Sequence, residues 1–341
     1  MDLYKLGTPA AIVAWGQLGT SHAKTTYGLL RHSRLFKPVC VIAEHEGRMA
    51  EEFVRPLRYN VPIVSSVEKA VEMGAEVVIV GVSNPGGVLN EDVAKIIREA
   101  LRRGLDVLNG LHFKISQDPE FVELAKKTGA RIVDVRVPPP ELRVFSGDVY
   151  RRRAKVVAVF GTDCVVGKRT TAVQLWERAM ERGLKAGFLA TGQTGILIGA
   201  EVGWVIDAIP SDFVSGVVEE CVLELERMGK EIIFVEGQGA LRHPAYGQVT
   251  LGLLYGCDPN YVFLVHDPSR KQFGSFYKIP KGPDFEEERK LIETLSNAKV
   301  IAGVCLNGSF ETDLPVFNPF NEKDLDEMID MIVEDQITLE I

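Results

Sequence analysis

Paired cysteines are absent from this chain. The sequence has 5 cysteines among 341 residues, and no two of them form a Cys-x-x-Cys pair. Such scattering is typical of reduced thiols and argues against a disulfide framework or a cysteine-based zinc site. The first residues, Met1 to Lys5, lack the basic-then-apolar pattern of a signal peptide. We therefore expect a cytoplasmic protein.

The sequence also lacks an excess of basic residues and long apolar runs. Its formal net charge is -8, which argues against a general nucleic-acid binder, because such proteins neutralise phosphates with Lys and Arg. The longest apolar runs, Val77 to Val82 and Val300 to Leu306, have the length of strands and are too short for a bilayer. We expect a small-molecule substrate, no nucleic-acid or membrane partner, and a homo-oligomer.

Short β-branched runs alternate with helical patterns along the whole chain, which is typical of α/β folds with mainly parallel sheets. A length of 341 residues favours two domains over one. The stretch Pro138-Pro139-Pro140 favours an extended spacer between them. We predict a Rossmann-like domain over residues 1–145 and a P-loop NTPase-like domain over residues 146–341.

One stretch carries the strongest functional signal. The apolar run Val156 to Phe160 stops at a glycine, and a second glycine followed by a lysine opens a helical pattern. Strand, glycine-bounded loop and helix is the layout that turns backbone N–H groups around a phosphate. Five residues separate the glycines instead of the usual four, and an arginine follows the lysine where Ser or Thr is expected. The predicted cofactor-binding residues are Gly161, Thr162, Asp163, Gly167, Lys168, Arg169, Thr170 and Thr171.

Acidic residues indicate a magnesium site beside this loop. The apolar run Ile232 to Val235 ends at Glu236 and two nearby glycines, where a P-loop fold places an acid that holds Mg²⁺ directly or through water. We predict Thr170 and Glu236 as metal ligands, with Asp207 as a second acid near the metal. The alternative for Glu236 is that its carboxylate caps a strand end. The alternative for Asp207 is that it belongs to a polar cluster that caps a helix.

Three motifs of the second half resemble those of dethiobiotin synthetases and related P-loop ligases. They are Gly161-Thr162-Asp163 with its five-residue spacing to Gly167-Lys168, Glu236-Gly237-x-Gly239, and Gly303-Val304-Cys305-Leu306-Asn307. This resemblance implies Mg·ATP at the loop, Glu236 near the metal and Asn307 near the adenine. Arg169 departs from the pattern, since those enzymes carry threonine there.

Over its full length the chain resembles a two-domain bacterial and archaeal family first described as a domain of unknown function. The features that carry the likeness are Lys24-Thr25, Asn109-Gly110-Leu111-His112 and the loop from Gly161 to Thr171. Some members are assigned as D-glutamate N-acetyltransferases that use acetyl-CoA. Coenzyme A carries an adenine nucleotide, so a P-loop can hold either acetyl-CoA or ATP with Mg²⁺. The sequence leaves this choice open.

Acyl transfer to an amine needs a base for the amine proton and donors for the oxyanion. We take His266, which follows an apolar run, together with His243 and Glu236 as candidate catalytic residues. Arg242 or Arg270 could supply a guanidinium for a substrate carboxylate. The leading hypothesis is transfer of an acetyl group to a D-glutamate-like amino acid. An ATP-dependent ligase or kinase acting on a small carboxylate and a non-enzymatic nucleotide sensor are the alternatives.

Two further patterns concern the first half and the loop cysteine. Trp15 to Thr20 gives a Gly-x-x-Gly turn, Glu44 follows the second strand where NAD-binding folds carry a ribose-binding acid, and Val80 to Gly87 forms a glycine-rich strand end. NAD binding is the alternative to a Rossmann-like scaffold without a dinucleotide, which we favour because the three-glycine fingerprint is incomplete. Cys164 is interpreted as a small residue that fills the loop rather than a thioester nucleophile, because the sequence identifies no neighbouring base.

Overall fold

The computed structural model describes residues 3–83, 87–274 and 281–334. The chain divides into two compact units, the first formed by Met1–Val137 with Gln193–Ala200 and the second by Pro138–Gly192 with Glu201–Ile341. Each unit contains a parallel sheet with helices in its connections, which confirms the predicted fold class. No helix in the described ranges is both long enough and apolar enough to cross a membrane.

The first unit is built on six strands. They are β1 (Thr8–Val13), β2 (Phe36–Ile42), β3 (Ile63–Val64), β4 (Val77–Val80), β5 (Asp106–Asn109) and β6 (Ile132–Asp134). Its helices before the domain boundary are α1 (Lys24–His32), α2 (Val67–Glu72), α3 (Glu91–Arg102) and α4 (Pro119–Thr128). The strands pair in parallel in the order β3-β2-β1-β4-β5-β6. The order reverses between β1 and β4, where doubly wound sheets form a ligand crevice.

Helix α3 shows why the local sequence folds as it does. Its N-cap Asn90 accepts a hydrogen bond from the backbone N–H of Val93, which satisfies one donor of the first turn. Val93, Ile97 and Leu101 recur at helical spacing and are all buried against the sheet. Gly104 then takes a left-handed conformation with φ +78°, which ends the helix region.

The second unit is built on seven strands. They are β7 (Lys155–Gly161), β8 (Ala186–Ala190), β9 (Val202–Gly203), β10 (Ile232–Glu236), β11 (Tyr261–Val265), β12 (Lys299–Val304) and β13 (Val316–Phe317). The helices that follow the boundary are α5 (Lys168–Glu181), α6 (Gln193–Ile198), α7 (Ser211–Arg227), α8 (Gly247–Cys257), α9 (Phe285–Leu295) and α10 (Glu322–Glu334). The strand order is β13-β12-β11-β7-β10-β8-β9, with every pair parallel.

Strand β7 lies at the centre of the second sheet, between β10 and β11. All seven of its residues are buried, and the apolar run that follows Lys155 matches a strand covered on both faces. The carboxyl ends of β10, β7 and β11 therefore lie side by side at one edge of the sheet. The segments that follow these three strands carry the predicted site.

The units divide the chain at 137/138, whereas the sequence placed the boundary at 145/146. The intervening segment packs on α7. The buried carboxylate of Glu219 accepts hydrogen bonds from the backbone N–H groups of Ser146 at 2.7 Å and Gly147 at 2.8 Å. Gly216 allows this approach, since a Cβ there would lie 2.0 Å from the carbonyl oxygen of Arg143. The proline segment thus begins the second unit instead of ending the first.

The sequence did not indicate that α6 belongs to the first unit. Two side-chain hydrogen bonds link this helix to the rest of the first unit. The hydroxyl oxygens of Thr194 and Thr25 lie 2.9 Å apart, and Nη2 of Arg136 donates to Oε1 of Gln193 at 2.9 Å. A six-residue helix with mixed polarity carries no pattern that would show which unit it belongs to.

Candidate phosphate-binding site

The predicted phosphate loop spans residues 162–167, between Gly161 at the end of β7 and Lys168 at the start of α5. Gly167 has φ +114°, and a Cβ there would lie 2.4 Å from a methyl carbon of Leu306, so conformation and space both exclude a side chain. The first N–H groups of a helix have no partner within the helix. The loop therefore presents backbone donors and the positive end of a helix at one place, as an anion site requires.

The loop lysine is enclosed by backbone carbonyls. Lys168 is 6% exposed, and its Nζ donates to the carbonyl oxygens of Asp163 at 2.5 Å and Gly239 at 2.8 Å. Burial lowers the pKa of this ammonium group, while the nearby Cys164 and Asp163 side chains oppose that change. Because Gly239 follows β10, the lysine joins the phosphate loop to the Glu-Gly-x-Gly motif.

Asp163 is fully buried and binds a guanidinium group. Its Oδ2 accepts from Nη1 of Arg270 at 2.6 Å and from the backbone N–H of Gly274 at 3.1 Å. Arg270 also donates to the carbonyl oxygens of Cys164 at 2.6 Å and Val165 at 2.9 Å. The guanidinium therefore fastens the segment after β11 to the loop. This geometry favours a structural role for Arg270 over the predicted role in binding a substrate carboxylate.

Thr162 joins the loop to the end of β11. Its backbone N–H donates to the carbonyl of Val265 at 3.0 Å, and its Oγ1 shares a 2.8 Å hydrogen bond with Nδ1 of His266. Phe285 and Phe310 pack edge-on against the imidazole, with ring centroids 6.2 and 4.9 Å away. Burial lowers the pKa of His266, so the ring is neutral near pH 7. A predicted base thus lies directly beside the phosphate loop.

Glu236, at the end of β10, is held by backbone donors. It is 5% exposed, and its Oε2 accepts from the N–H groups of Thr191 at 3.1 Å and Gly192 at 3.3 Å. The carboxylate also interacts with Arg169. Burial lowers the pKa of the Arg169 guanidinium, and the negative charge of Glu236 raises it. The residue after the loop lysine therefore places a positive charge near the acid that was predicted to hold Mg²⁺.

The predicted magnesium ligands lie on three different segments of the second unit. Asp207 is exposed after the edge strand β9, which β8 and β10 separate from β7. Thr170 is buried in the first turn of α5, and the hydroxyl of Thr171 donates to the carbonyl of Gly167 at 3.2 Å. A dication at Glu236 would also face the cation of Arg169. The donor set does not fit Mg²⁺, because arginine replaces the usual hydroxyl residue.

A cavity of about 440 Å³ adjoins the loop. His266 and Arg270 line it, and both side chains also hydrogen-bond to residues of the phosphate loop. Its lining also includes Arg242, Lys271 and Lys281, so that with Arg270 it carries four cationic side chains against two acids, Asp284 and Glu287. A concave space of this size with convergent charges suits a small anionic ligand. The predicted substrate site therefore lies next to the predicted nucleotide site.

The cations of this cavity differ in how they are bound. Nη1 of Arg242 donates to the carbonyl of Gly282 at 3.0 Å, and its other terminal nitrogen pairs with Glu287. Lys271 and Lys281 are exposed and form no ion pair with the residues that the structure describes. The sequence analysis identified the arginine and missed both lysines, because an exposed lysine in a loop has no distinguishing pattern.

Glu288 is a buried acid that the sequence analysis also missed. It lies on α9 with 0% exposure, and it accepts from the N–H groups of Leu241 at 2.5 Å and Arg242 at 3.1 Å. Burial raises its pKa to about 7, against the opposing effects of these two donors and of Lys168. An acid within the run Glu286 to Glu288 is typical of a solvated helix face. Only the packing of α9 reveals its burial.

His243 lies near Oδ1 of Asp163, whereas Arg270 binds Oδ2. It is 1% exposed, its Nδ1 accepts from the N–H of Ala245 at 3.2 Å, and its Nε2 lies 3.9 Å from Oδ1 of Asp163. We assign the proton of the neutral ring to Nε2, since Nδ1 is an acceptor. Burial lowers the pKa of this histidine. Within the described residues His266 lines the cavity and His243 does not, so the geometry favours His266 as the base.

Asn307 follows β12 and is exposed. Its carbonyl accepts from the Sγ of Cys305 at 3.4 Å, and the preceding Leu306 packs over Gly167. The segment therefore borders the phosphate loop, and the role of Asn307 near an adenine stays a prediction.

The first unit has a glycine-bounded loop of a different kind. Gly16 and Gly19 both have positive φ after β1, and Oε1 of Glu44 accepts from the N–H of Gly16 at 2.5 Å. The acid predicted to bind a ribose is thus engaged with the loop itself. In the predicted strand end Val80 to Gly87, residues 84–86 lie outside the described residues.

Fold and site together define a two-domain α/β protein whose second domain carries a phosphate loop. Residues 143–322 match a family described as a domain of unknown function, DUF1611_C, P-loop domain. Residues 43–138 match the companion description, DUF1611_N, Rossmann-like domain. The chain belongs to the DUF1611 family.

Solved and curated relatives extend this match. A crystal structure of a DUF1611 family protein from Anabaena variabilis is similar with a TM-score of 0.87 and 30% identity, covering 96% of this chain and 100% of that one. A Tritonibacter scottomollicae protein named D-glutamate N-acetyltransferase is 37% identical over 245 residues, 71% of this chain and 72% of the relative. A Pseudoalteromonas sp. protein of the same name is 38% identical over 205 residues, and the chain spans 60% of its length.

Proposed function

We propose that this protein binds acetyl-CoA through its phosphate loop and transfers the acetyl group to the amine of a small amino dicarboxylate such as D-glutamate. The name that both curated relatives carry supports the activity. The structural observation that carries the proposal is the position of His266. Its ring hydrogen-bonds the phosphate loop through Thr162 and also lines the cation-lined cavity. The proposed base therefore contacts both the phosphate loop and the proposed acceptor pocket.

The charges around the loop support coenzyme A over ATP with Mg²⁺. The backbone donors and Lys168 suit a phosphate group of either nucleotide. Arg169 lies near the acid Glu236, where the ATP-dependent enzymes need a dication. The phosphates of coenzyme A bind without a metal, so this arrangement favours that cofactor.

The chain's own groups supply the remaining chemistry. Acetyl-CoA provides an activated acyl carbonyl when bound. Lys271 and Lys281 offset the carboxylate charges of the acceptor in the cavity. The neutral imidazole of His266 takes a proton from the acceptor ammonium group at the ring nitrogen that does not bond Thr162. The resulting free amine is the nucleophile for acyl transfer.

One observation favours a second candidate, an ATP-dependent kinase or ligase of small carboxylates. The cavity touches the phosphate loop itself, through His266 and Arg270. An acceptor bound there lies beside the phosphates of a bound nucleotide. This proximity suits phosphoryl transfer.

Thermal unfolding in the presence of ligands, combined with a product assay, tests the proposal. Acetyl-CoA at 100 times its dissociation constant should raise the unfolding free energy by about 2.7 kcal/mol. D-Glutamate should then yield an N-acetyl product, detected by mass spectrometry together with free coenzyme A thiol. His266→Gln should keep the stabilisation but lower turnover by about 100-fold or more. The exposed His45→Gln is the matched control and should leave turnover unchanged.

Stabilisation by ATP with Mg²⁺ but not by acetyl-CoA would favour the kinase or ligase. Equal turnover in His266→Gln and wild type would exclude His266 as the base. The proposed binding of a nucleotide at the loop would be unaffected by that result.

A further inference from the structure

The cavity beside the phosphate loop is lined by charged side chains of both signs, and some of them are already paired within the protein. Arg242 pairs with Glu287, which also lines the cavity. Nη1 of Arg270 binds Oδ2 of the buried Asp163 at 2.6 Å. The charges of these two arginines are therefore offset by carboxylates of the chain itself.

Three other charged side chains line the same cavity without such an offset. Among the described residues, Lys271, Lys281 and Asp284 have no ion-pair partner. Asp284 is the N-cap of α9, and its Oδ1 accepts from the backbone N–H of Glu287 at 2.8 Å. This hydrogen bond satisfies a helix donor and leaves the charge of the carboxylate unpaired. The cavity thus offers two positive charges and one negative charge to a ligand.

Close backbone packing brings the segments that carry these three charges together. A Cβ at Gly282 would lie 2.2 Å from the carbonyl oxygen of Lys271, so a glycine is needed for this approach. Lys281 precedes this glycine, and Asp284 follows it by two residues at the start of α9. Charged groups on adjoining segments can converge on one small molecule.

The carboxylate of Asp284 also acts on the proposed base. Phe285, the next residue, packs edge-on against the imidazole of His266, with the ring centroids 6.2 Å apart. Burial lowers the pKa of His266, and the negative charges of Asp267 and Asp284 raise it. A cation held by Asp284 therefore lies near the imidazole that is proposed to take its proton.

We propose that Asp284 binds the ammonium group of the acceptor while Lys271 and Lys281 bind its carboxylates, so that the cavity selects an amino dicarboxylate over a dicarboxylate without an amine. This inference rests on the proposed function, which places the acceptor in this cavity. An amino dicarboxylate carries two negative charges and one positive charge near pH 7, the reverse of the three unpaired charges of the cavity. A dicarboxylate without an amine leaves Asp284 unpaired next to its own negative charges.

The same carboxylate serves the proton transfer that follows binding. When the imidazole of His266 takes a proton from the ammonium group, the positive charge moves from the acceptor to the ring. Asp284 stabilises the charge in both positions, because its negative charge favours the protonated imidazole. Asp284 is thus a specificity-determining residue that holds the acceptor amine beside its base.

Isothermal titration calorimetry with coenzyme A present, so that no acetyl group is available, tests the proposal. The ligands are D-glutamate and glutarate, which has the same carbon chain and both carboxylates but no amine. Wild type should bind D-glutamate more tightly than glutarate. Asp284→Asn should weaken the binding of D-glutamate about tenfold, the effect of a charge-assisted contact at an exposed site. Its binding of glutarate should stay unchanged or become tighter, because a like charge has been removed.

Asp118→Asn is the matched control, since Asp118 is the N-cap of α4 in the first unit and Asn is an equally good cap. It should alter neither affinity. An equal loss for both ligands in Asp284→Asn, or no loss for D-glutamate, would overturn the inference and leave the proposed function standing. If neither ligand binds to wild type, the inference fails together with the proposed acceptor site. If Asp284→Asn does not fold, the preference of wild type for D-glutamate over glutarate decides.

Discussion

Each unit of this protein has a glycine-bounded loop after the first strand of its parallel sheet, yet the two loops are electrostatic opposites. After β1, the backbone N–H of Gly16 meets the carboxylate of Glu44, which is exposed. After β7, the loop meets a buried lysine and the start of a helix, with Lys168 at 6% exposure. The first loop has its own anion, and the second has a surplus of positive groups.

This difference shows that a glycine turn at a strand end does not by itself define an anion site. The donors of the first loop are partly met by a protein carboxylate, so an added phosphate would compete with it. The positive groups of the second loop are balanced by carbonyl dipoles and by Asp163, which already binds Arg270. An external anion therefore gains more at the second loop.

The two regions differ most in burial. The largest expected change in unfolding free energy concerns the buried acid Glu288. Its pKa is raised from an ordinary 4.5 to about 7, mainly by burial. Between these values the unfolded chain has lost the proton that the folded chain keeps, so stability falls as pH rises. The loss amounts to about 3 kcal/mol between pH 4.5 and 7.

Urea denaturation at pH 4.5 and pH 7 measures this effect. Glu288→Gln should flatten the pH dependence, because the amide of glutamine does not titrate. If the unfolding free energies of Glu288→Gln and wild type changed equally between pH 4.5 and pH 7, the assignment of the raised pKa to Glu288 would be contradicted.

A lysine begins the helix region after each loop, and this gives the second test. Lys168 begins α5 and Lys24 begins α1. Lys168→Ala should abolish the stabilisation of about 2.7 kcal/mol that acetyl-CoA provides at 100 times its dissociation constant. Lys24→Ala should retain it in the same thermal unfolding assay. Loss of the ligand effect in both variants would mean that the first unit takes part in binding.

The sequence predicted the fold and the phosphate loop because both depend on local patterns. The apolar run of β7, the glycine spacing and the helical pattern of α5 lie within one short segment. The burial of Glu288 and the accessibility of Lys281 depend on how α9 and the segment after β11 pack. Such contacts join residues far apart in sequence, so no motif reveals them.

The predicted magnesium ligands depend in the same way on contacts between distant segments. Glu236 does end β10, as its motif predicted. The adjacent guanidinium of Arg169 changes what this acid can bind, and only the structure shows that the two charges interact. Asp207 follows an edge strand, and strand order is not readable from an isolated segment.

The Arg270–Asp163 contact provides a third test of the comparison. Asp163 is 0% exposed and Arg270 is 24% exposed at its side chain. Arg270→Met leaves a buried carboxylate without its guanidinium, which should cost about 2 kcal/mol, below the value for fully buried pairs. Arg48→Met in the first unit breaks a pair that is 48% and 41% exposed, and it should cost less than about 1 kcal/mol. Urea denaturation of both variants makes the comparison.

Asp163→Asn in the Arg270→Met background should recover part of the lost stability, because a neutral amide tolerates the buried site better than an unpaired carboxylate. An equal cost for the two arginine variants would show that burial does not separate the two regions.

The smallest expected effect concerns the internal anion of the first loop. Glu44→Ala removes the carboxylate that accepts from Gly16, and water can replace it because the residue is exposed. The unfolding free energy should therefore fall by less than about 1 kcal/mol. The stabilisation by acetyl-CoA should stay as in wild type, since Lys168 and its loop are unchanged. A weaker acetyl-CoA effect in Glu44→Ala would show that the first loop contributes to the nucleotide site, and the contrast between the two loops would then fail.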